Sequence, residues 1–109
     1  MNRLSEADVA ALLRAPRALI FKHSSQCGTS RRALAQFTAV APELGDVPTG
    51  LVDVLADRAL ARRIADDTGV LHESPQLLYF ESGRVVSHLS HGAITSEAVR
   101  RLLGAPDRA

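Results

Sequence analysis

The sequence predicts an α/β fold in which a four-stranded mixed sheet is flanked by helices, with an extra helix at the N-terminus. Short apolar runs, typical of buried strands, alternate with segments of helical periodicity along most of the chain. Two further apolar runs then flank a tight-turn signal, and an amphipathic segment follows them. The chain has 109 residues, 46% of them hydrophobic, so we expect a single domain spanning residues 1–109.

The first elements are a helix and a buried strand. The stretch LSEADVAALLR predicts a helix with Ser5 as its N-cap, and Leu4 and Val9 have the spacing of a hydrophobic staple. Pro16 ends this helix, because proline cannot donate the backbone hydrogen bond that a helix interior needs. The apolar run RALIFKHS, followed by a polar cluster, predicts a buried strand over about residues 17–22.

A second helix and a second strand follow the only cysteine of the chain. In SRRALAQFTAVA, the residues Leu34, Phe37 and Ala41 recur at helical spacing, and Pro42 and Gly45 end the segment. The run PTGLVDVL then predicts the second strand. A strand–helix–strand unit of this kind predicts parallel pairing with a right-handed crossover.

The remaining elements are a helix, a hairpin and a last helix. The stretch DRALARRIADDTG predicts a helix with Asp57 as its N-cap and Gly69 just past its end. In PQLLYFESGRVVSHLS, two apolar runs flank Ser82 and Gly83, which predicts a hairpin. The stretch ITSEAVRRLLG predicts the last helix, with Thr95 as its N-cap.

This order of elements is the plan of the thioredoxin-like fold. Two residues favour that assignment further. Cys27 follows the first core strand at the start of the next helix, and Pro75 stands just before the hairpin, after a serine. In thioredoxin-like proteins a cis-proline occupies that place and faces the cysteine, so we expect a cis bond before Pro75.

Composition and charge exclude several classes of function. The formal net charge is +1 and basic residues are spread along the chain, which gives no electrostatic footprint for nucleic acid. No apolar run approaches the roughly 20 residues that cross a bilayer, and we read no signal peptide at the N-terminus. A single cysteine excludes an internal disulfide and is compatible with a reducing compartment. We therefore expect a cytoplasmic protein without nucleic-acid or membrane partners.

Several motifs together resemble the monothiol bacilliredoxin family, thioredoxin-like proteins of bacteria that make the thiol bacillithiol. The matching parts are the Phe-Lys-His-Ser lead-in, the Cys-x-x-Ser motif, the His-Glu-Ser-Pro-Gln loop and the Ser-His-x-x-Ile-Thr segment. They occur in this order between about Ala18 and Leu103, nearly the whole chain. Gly28 and Thr29 stand where the family usually has proline and isoleucine, so we expect a looser active-site turn.

The resemblance implies a thiol-disulfide oxidoreductase that removes bacillithiol from mixed disulfides on client proteins. In that role Cys27 is the nucleophile, Ser30 stands where a dithiol relative has its resolving cysteine, and Pro75 is the cis-proline. Bacillithiol is then the co-substrate and bacillithiolated client proteins are the partners, with no bound cofactor or metal. The alternative is a non-catalytic thioredoxin-like adaptor or redox sensor that merely becomes thiolated at Cys27.

The chemistry of Cys27 depends on its neighbours. Exchange begins with a thiolate, and a helix N-terminus favours negative charge. The Ser30 hydroxyl either donates to that thiolate or satisfies a backbone group. His23 adds positive potential, accepts the thiol proton, or makes a structural hydrogen bond at the strand end. Nearby basic residues, among them Lys22 and Arg31, are expected to add positive charge.

Two loops are expected to bind the substrate. The backbone of Ser74, just before Pro75, offers N–H and C=O groups that can pair with an incoming ligand as a strand edge does. Ser90, His91 and Gly92 lie between the last strand and the last helix. In thioredoxin-like folds that loop lies beside the cysteine.

Other polar residues near these loops have two interpretations each. The helix N-terminus at Thr95 and Ser96 is either an anion site for the malate carboxylates of bacillithiol or an ordinary cap. Arg31 and Arg32 are either part of a solvated helix face or ligand contacts. His72 and Glu73 either line the groove or cap the loop.

Overall fold

The computed structural model of this protein describes residues 2–104. The elements are β1 (Asn2–Arg3), α1 (Glu6–Leu12), β2 (Arg17–His23), α2 (Gly28–Val40), β3 (Thr49–Asp53), α3 (Arg58–Thr68), β4 (Gln76–Glu81), β5 (Arg84–Ser90) and α4 (Ser96–Leu103). Short 3₁₀ segments, Ala41–Leu44 and His91–Ala93, follow α2 and β5. Within the described residues, no helix has the length and apolar character needed to cross a membrane.

The five strands form one mixed sheet in the order β1-β3-β2-β4-β5. β2 is parallel to β3 and antiparallel to β4, as the predicted α/β plan requires. The sheet has one strand more than the four predicted, because β1 pairs with β3 through Asn2 opposite Gly50. A two-residue strand has no periodicity of its own, so its formation depends on the pairing partner rather than on local sequence.

Each face of the sheet is covered by its own hydrophobic core. Ala18 and Ile20 of β2 belong to the core beneath α1 and α3, whereas Leu19 and Phe21 belong to the core beneath α2 and α4. This alternation is the two-residue period of a strand. Because residues 18–22 are all fully buried, β2 is the central strand against which both helix layers pack.

The predicted helix caps and hairpin turn are confirmed. The side chains of Ser5, Asp57 and Thr95 each accept a backbone N–H in the first turn of α1, α3 and α4, respectively. The hairpin turn has φ angles of 51° at Ser82 and 79° at Gly83. Positive φ at both central residues gives a turn whose twist matches that of the flanking strands.

The contact between Leu4 and Gly50 provides a test of the β1–β3 pairing. A methyl group at position 50 would overlap the buried Leu4 side chain, so we expect Gly50→Ala to lower the free energy of unfolding by about 1–3 kcal/mol. Leu4→Ala should cost less in the Gly50→Ala background than in the wild-type protein, because the two side chains compete for one space. Urea denaturation of the four proteins measures this coupling.

Gly28→Ala serves as the control for this cycle. The new methyl group would meet only the Arg31 side chain, at 3.7 Å, so no loss of stability is expected. Strictly additive effects of Gly50→Ala and Leu4→Ala would contradict the packing of β1 described above.

Candidate functional site

Cys27 lies at the end of the sheet where β2 stops and α2 begins. β2 ends at His23, and Cys27 is the N-cap of α2, with φ −113° and ψ 123°. The Cys27 side chain is partly exposed. A reactant in solution can therefore reach the sulfur at the N-terminus of a helix.

The surroundings of the Cys27 thiol favour its ionised form. The backbone N–H of Ser30 is the largest cause of a lowered Cys27 pKa, and the N–H and hydroxyl of Thr29 act in the same direction. The positive charge of Arg31 lowers this pKa further, whereas desolvation opposes the shift. The N–H groups at a helix N-terminus carry partial positive charge, so they stabilise the thiolate more than the neutral thiol.

The Ser30 hydroxyl joins the end of β2 to the start of α2. Ser30 is fully buried, and its Oγ lies 2.8 Å from His23 Nδ1 and accepts the N–H of Ser24 at 2.9 Å. The N–H of Cys27 closes the same loop by donating to the Ser24 carbonyl at 3.2 Å. Of the two roles considered for this hydroxyl, the backbone role is the one observed, and the hydroxyl is directed to the strand end rather than to the sulfur.

His23 makes a structural hydrogen bond at the strand end. Its Nδ1 lies 2.8 Å from Ser30 Oγ, the same oxygen that accepts the Ser24 N–H. Burial lowers the pKa of His23, against the charge of Asp53, and the charge of Arg31 lowers it further. The strand-end hydrogen bond is therefore the role that the geometry supports for this histidine.

Lys22 is fully buried on the face of the sheet that α3 covers, in step with Ala18 and Ile20. Its Nζ lies 3.1 Å from Nδ1 of His72, and no carboxylate contacts it within residues 2–104. Burial lowers the pKa of Lys22 to about 8. Lys22 is not among the groups that lower the Cys27 pKa, so its predicted contribution of nearby positive charge is wrong. Strand alternation directs it away from α2.

The loop before β4 carries the predicted proline at the same end of the sheet. The Ser74–Pro75 peptide bond is cis, as expected. Lys22 opposite Gln76 is the last pair between β2 and β4. Pro75 therefore lies level with the end of β2, from which the chain continues to Cys27.

The two loops predicted to bind substrate are bonded to each other. The N–H of His91 donates to the Pro75 carbonyl at 2.9 Å, and His91 Nε2 lies 3.7 Å from the Glu73 carboxylate. Ser90 Oγ accepts from the side-chain amide of Gln76 at 3.3 Å, so Ser90 braces the start of β4. For Glu73, the loop role considered above is therefore the one observed, and the same holds for His72, which covers Lys22.

Polar groups beside Pro75 keep free hydrogen-bonding capacity. Within residues 2–104, neither the N–H nor the C=O of Ser74 forms a hydrogen bond. The Ser74 hydroxyl and the side-chain oxygen Oε1 of Gln76 are also buried without a partner in this part of the chain. Buried polar groups are normally hydrogen-bonded, so unpartnered ones at a loop point to a place where a ligand can bind.

A cavity of about 220 Å³ opens between α2 and the loop that joins β5 to α4. We call it the side cavity. Its polar lining is formed by Thr29, Arg32, Gln36, His91, Gly92 and Thr95. Two of the predicted substrate residues, His91 and Gly92, thus line it, and Thr29 connects it to Cys27.

The N-terminus of α4, which adjoins the side cavity, is already capped from within the protein. The N–H of Ser96 donates to Gln36 Oε1 at 3.0 Å, and the N–H of Ala98 donates to the Thr95 hydroxyl at 3.1 Å. The interpretation of Thr95 and Ser96 as an ordinary cap is therefore correct, and the anion-site interpretation is not supported.

Some site residues escaped the sequence analysis. Thr29 follows an N-cap by two residues, a position whose N–H faces the cap side chain, so this signal was available. Gln36 reaches the site through tertiary contacts with Ser96. No local pattern in the sequence predicts a tertiary contact of this kind.

The site offers room for a small molecule rather than a metal centre. Across residues 2–104, histidine, cysteine, aspartate and glutamate side chains form no group of three or more that could hold a metal ion. Thr29 lines the side cavity and its hydroxyl acts on the Cys27 sulfur, so a group attached to that sulfur has space nearby.

A partly exposed thiol at a helix N-terminus, on a mixed sheet of this order, is the arrangement of a thioredoxin-fold protein. Thioredoxin from Fasciola hepatica matches with a TM-score of 0.74 and 20% identity, covering 96% of this chain and 98% of that one. Thioredoxin from Plasmodium falciparum matches with a TM-score of 0.75 and 14% identity over 100% of both chains. At these identities the likeness shows the fold alone.

Closer relatives identify the family. A proposed oxidoreductase with a thioredoxin fold matches with a TM-score of 0.87 and 30% identity, over 94% of this chain and 92% of that one. The family model described as monothiol bacilliredoxin BrxC matches residues 4–99. The chain belongs to the monothiol bacilliredoxin family, which confirms the resemblance drawn from the sequence. Membership supports a thiol redox function with thiol redox partners.

The hydrogen bonds of Ser30 predict a stability effect. Ser30→Ala leaves the Ser24 N–H and the His23 ring without their shared partner, so we expect it to lower the free energy of unfolding by about 1–3 kcal/mol. Ser25→Ala removes an exposed hydroxyl from the same loop and should change stability by less than about 0.5 kcal/mol. Chemical denaturation compares the two variants, and equal effects would refute the bracing role of Ser30.

The buried Lys22 predicts a pH dependence of stability. Its pKa is about 8 in the folded protein against 10.5 ordinarily, so the unfolded chain binds the proton more tightly between these pH values. The charged Lys22 therefore lowers the free energy of unfolding below pH 8. Above pH 8 the free energy of unfolding rises with pH, by about 3 kcal/mol once Lys22 is neutral in both states. We expect Lys22→Met to remove this rise.

Urea denaturation between about pH 7.5 and 9.5 measures the difference between wild type and Lys22→Met. The upper limit avoids the ionisation of Tyr79, whose raised pKa makes the unfolded state ionise first and lowers stability at higher pH. Arg84→Met, at an exposed position of β5, is the control and should follow the wild-type profile. Parallel profiles for wild type and Lys22→Met would show that Lys22 does not titrate in this range.

Proposed function

We propose that this protein reduces mixed disulfides between bacillithiol and client proteins, with Cys27 as the attacking group. The observation that carries the proposal is the partly exposed Cys27 thiol at the N-terminus of α2, where the N–H groups of Ser30 and Thr29 lower its pKa. A thiolate that a reactant can reach is what exchange requires. Family membership supports bacillithiol as the thiol concerned.

The proposed reaction has two exchange steps. In the first, the Cys27 thiolate attacks the bacillithiol sulfur of the mixed disulfide. A new S–S bond forms, the old one breaks, and the client leaves as a thiolate that takes a proton from water. In the second, an external thiolate attacks the bacillithiol sulfur of the adduct, and Cys27 leaves as a thiolate. Each step consumes one disulfide and forms one, so no further oxidant or reductant is needed.

The lowered Cys27 pKa helps the second step more than the first. Nucleophilicity falls as the pKa falls, which offsets part of the gain in thiolate fraction, whereas a thiol of lower pKa is a better leaving group. Ser30 stands where a dithiol relative has its resolving cysteine, and it is buried and bonded to His23. The adduct on Cys27 must therefore wait for a thiol from solution.

The substrate is proposed to contact both loops beside the sulfur. The free N–H and C=O of Ser74, just before Pro75, can pair with the cysteine part of the ligand. His91 and Gly92 line the side cavity and can contact the remainder of the attached thiol. Ser90 acts indirectly by bracing the start of β4.

The proposal needs no bound cofactor, because bacillithiol serves as the co-substrate. Bacillithiolated client proteins and low-molecular-weight thiols are the partners. Exchange of this kind requires a compartment in which thiols stay reduced, so we propose that the protein acts in the cytoplasm.

A transfer assay tests the proposal. We expect that mixing the protein with a bacillithiolated client moves the bacillithiol mass onto Cys27 and releases one equivalent of reduced client, both followed by mass spectrometry. Free bacillithiol should then restore Cys27, with bacillithiol disulfide as the product. Cys27→Ser should show no transfer.

Two further arms separate the alternatives. A glutathionylated copy of the same client, run in parallel, reports thiol preference, and slower release is expected from it. Thiolation of Cys27 by bacillithiol disulfide without reduction of the client would favour the adaptor or sensor. If no adduct forms on Cys27 from the bacillithiolated client or from bacillithiol disulfide, both the exchange function and the adaptor or sensor function are ruled out.

A further inference from the structure

Residues that line the side cavity also contact the two parts of the site proposed to bind the substrate, the Cys27 thiol and the loop at Pro75. Thr29 forms part of its wall, and the Thr29 hydroxyl also acts on the Cys27 sulfur. His91 forms another part, and the His91 N–H is bonded to the carbonyl of Pro75. A small molecule joined to Cys27 by a disulfide therefore has this cavity beside it.

The polar lining of the side cavity is rich in hydrogen-bond donors with free capacity. Gln36 uses its carbonyl oxygen to accept from Ser96, which leaves the amide N–H groups of Gln36 for a ligand. The Arg32 guanidinium forms no ion pair and no hydrogen bond with any residue of the described chain. By contrast, Arg100 on α4 binds the Glu43 carboxylate through two hydrogen bonds.

The charges around the side cavity favour an anion. Its titratable lining groups are Arg32 and His91. The Glu73 carboxylate lies 3.7 Å from His91 Nε2, and Arg32 has no counter-ion among residues 2–104. A guanidinium fork matches the geometry of a carboxylate. Because Gln36 and Thr95 occupy the amides of α4, an anion here would bind a side chain rather than the helix end.

We infer that the side cavity binds the carboxylate-bearing part of a low-molecular-weight thiol attached to Cys27, and that Arg32 selects for the carboxylate. The inference rests on the proposed function, but it concerns the choice of thiol rather than the exchange itself. The cavity volume of about 220 Å³ gives room for a short carboxylate chain. The buried side chains of Ala33 and Ile94 form an apolar floor for its carbon atoms.

Reaction rates with three disulfides test the role of Arg32. Bacillithiol disulfide and glutathione disulfide carry carboxylates, whereas 2-hydroxyethyl disulfide carries none. Arg32→Gln should slow the reaction of Cys27 with bacillithiol disulfide about tenfold, which equals about 1.4 kcal/mol, and leave 2-hydroxyethyl disulfide within about twofold. Arg32→Lys, which keeps the charge without the fork, should fall between Arg32→Gln and wild type. Added salt should slow wild type with the carboxylates more than it slows Arg32→Gln.

Arg101→Gln is the matched control, because it removes the same charge from an exposed position of α4 outside the side cavity. It should leave all three rates unchanged. An equal slowing with all three disulfides would overturn the inference, since Arg32 would then act on Cys27 itself. A failure of Cys27 to react with either carboxylate-bearing disulfide would also overturn it.

The outcomes separate this inference from the proposed function. If a bacillithiolated client is not reduced, but Arg32→Gln still selectively slows glutathione disulfide, the proposed function fails and the cavity assignment stands. If the client is reduced and Arg32→Gln keeps the wild-type preference for carboxylates, the cavity assignment alone fails.

Discussion

Strand β2 is hydrogen-bonded along both edges, to β3 and to β4, and five of its seven residues are buried. Its carboxyl end cannot move independently of the sheet, and the chain that leaves it must satisfy its backbone groups without a neighbouring strand. Ser30 meets that need, because its hydroxyl accepts the Ser24 N–H and bonds His23. One buried side chain on α2 thus fixes where the helix begins, and with it the position of the Cys27 sulfur.

The two faces of this sheet end carry different chemistry. The face under α2 and α4 holds Cys27 and the side cavity. The face under α3 holds Lys22, whose partner is the His72 ring rather than a carboxylate. Burying an ammonium group in this way is costly, and an apolar side chain at position 22 would be more stable. We interpret Lys22 as a residue that holds His72, and hence the loop leading to Pro75, against the sheet.

Local signals in the sequence predict every helix and every strand except β1, but they do not predict the contacts between these elements. Side chains that bond backbone groups two or three residues away, such as Ser5, Asp57 and Thr95, mark helix starts because their partners are local. β1 has only two residues and was missed, since its hydrogen bonds go to β3. The directions of Lys22 and Ser30 depend on strand alternation and on the junction with α2, which only the assembled sheet defines. The cis bond before Pro75 was inferred from fold resemblance, since no local property of Ser-Pro requires it.

In the proposed exchange, a single thiol cannot release its own adduct. In a dithiol protein, the second cysteine attacks at the high effective concentration of a neighbouring group. Here Ser30 occupies that position, and it is buried and committed to the strand end, so an adduct on Cys27 persists until a thiol arrives from solution. The adduct must then be held while its sulfur stays accessible. In the proposed reaction, selectivity comes from the attached thiol, so we expect groups away from the sulfur, at Ser74 and along α2, to set it.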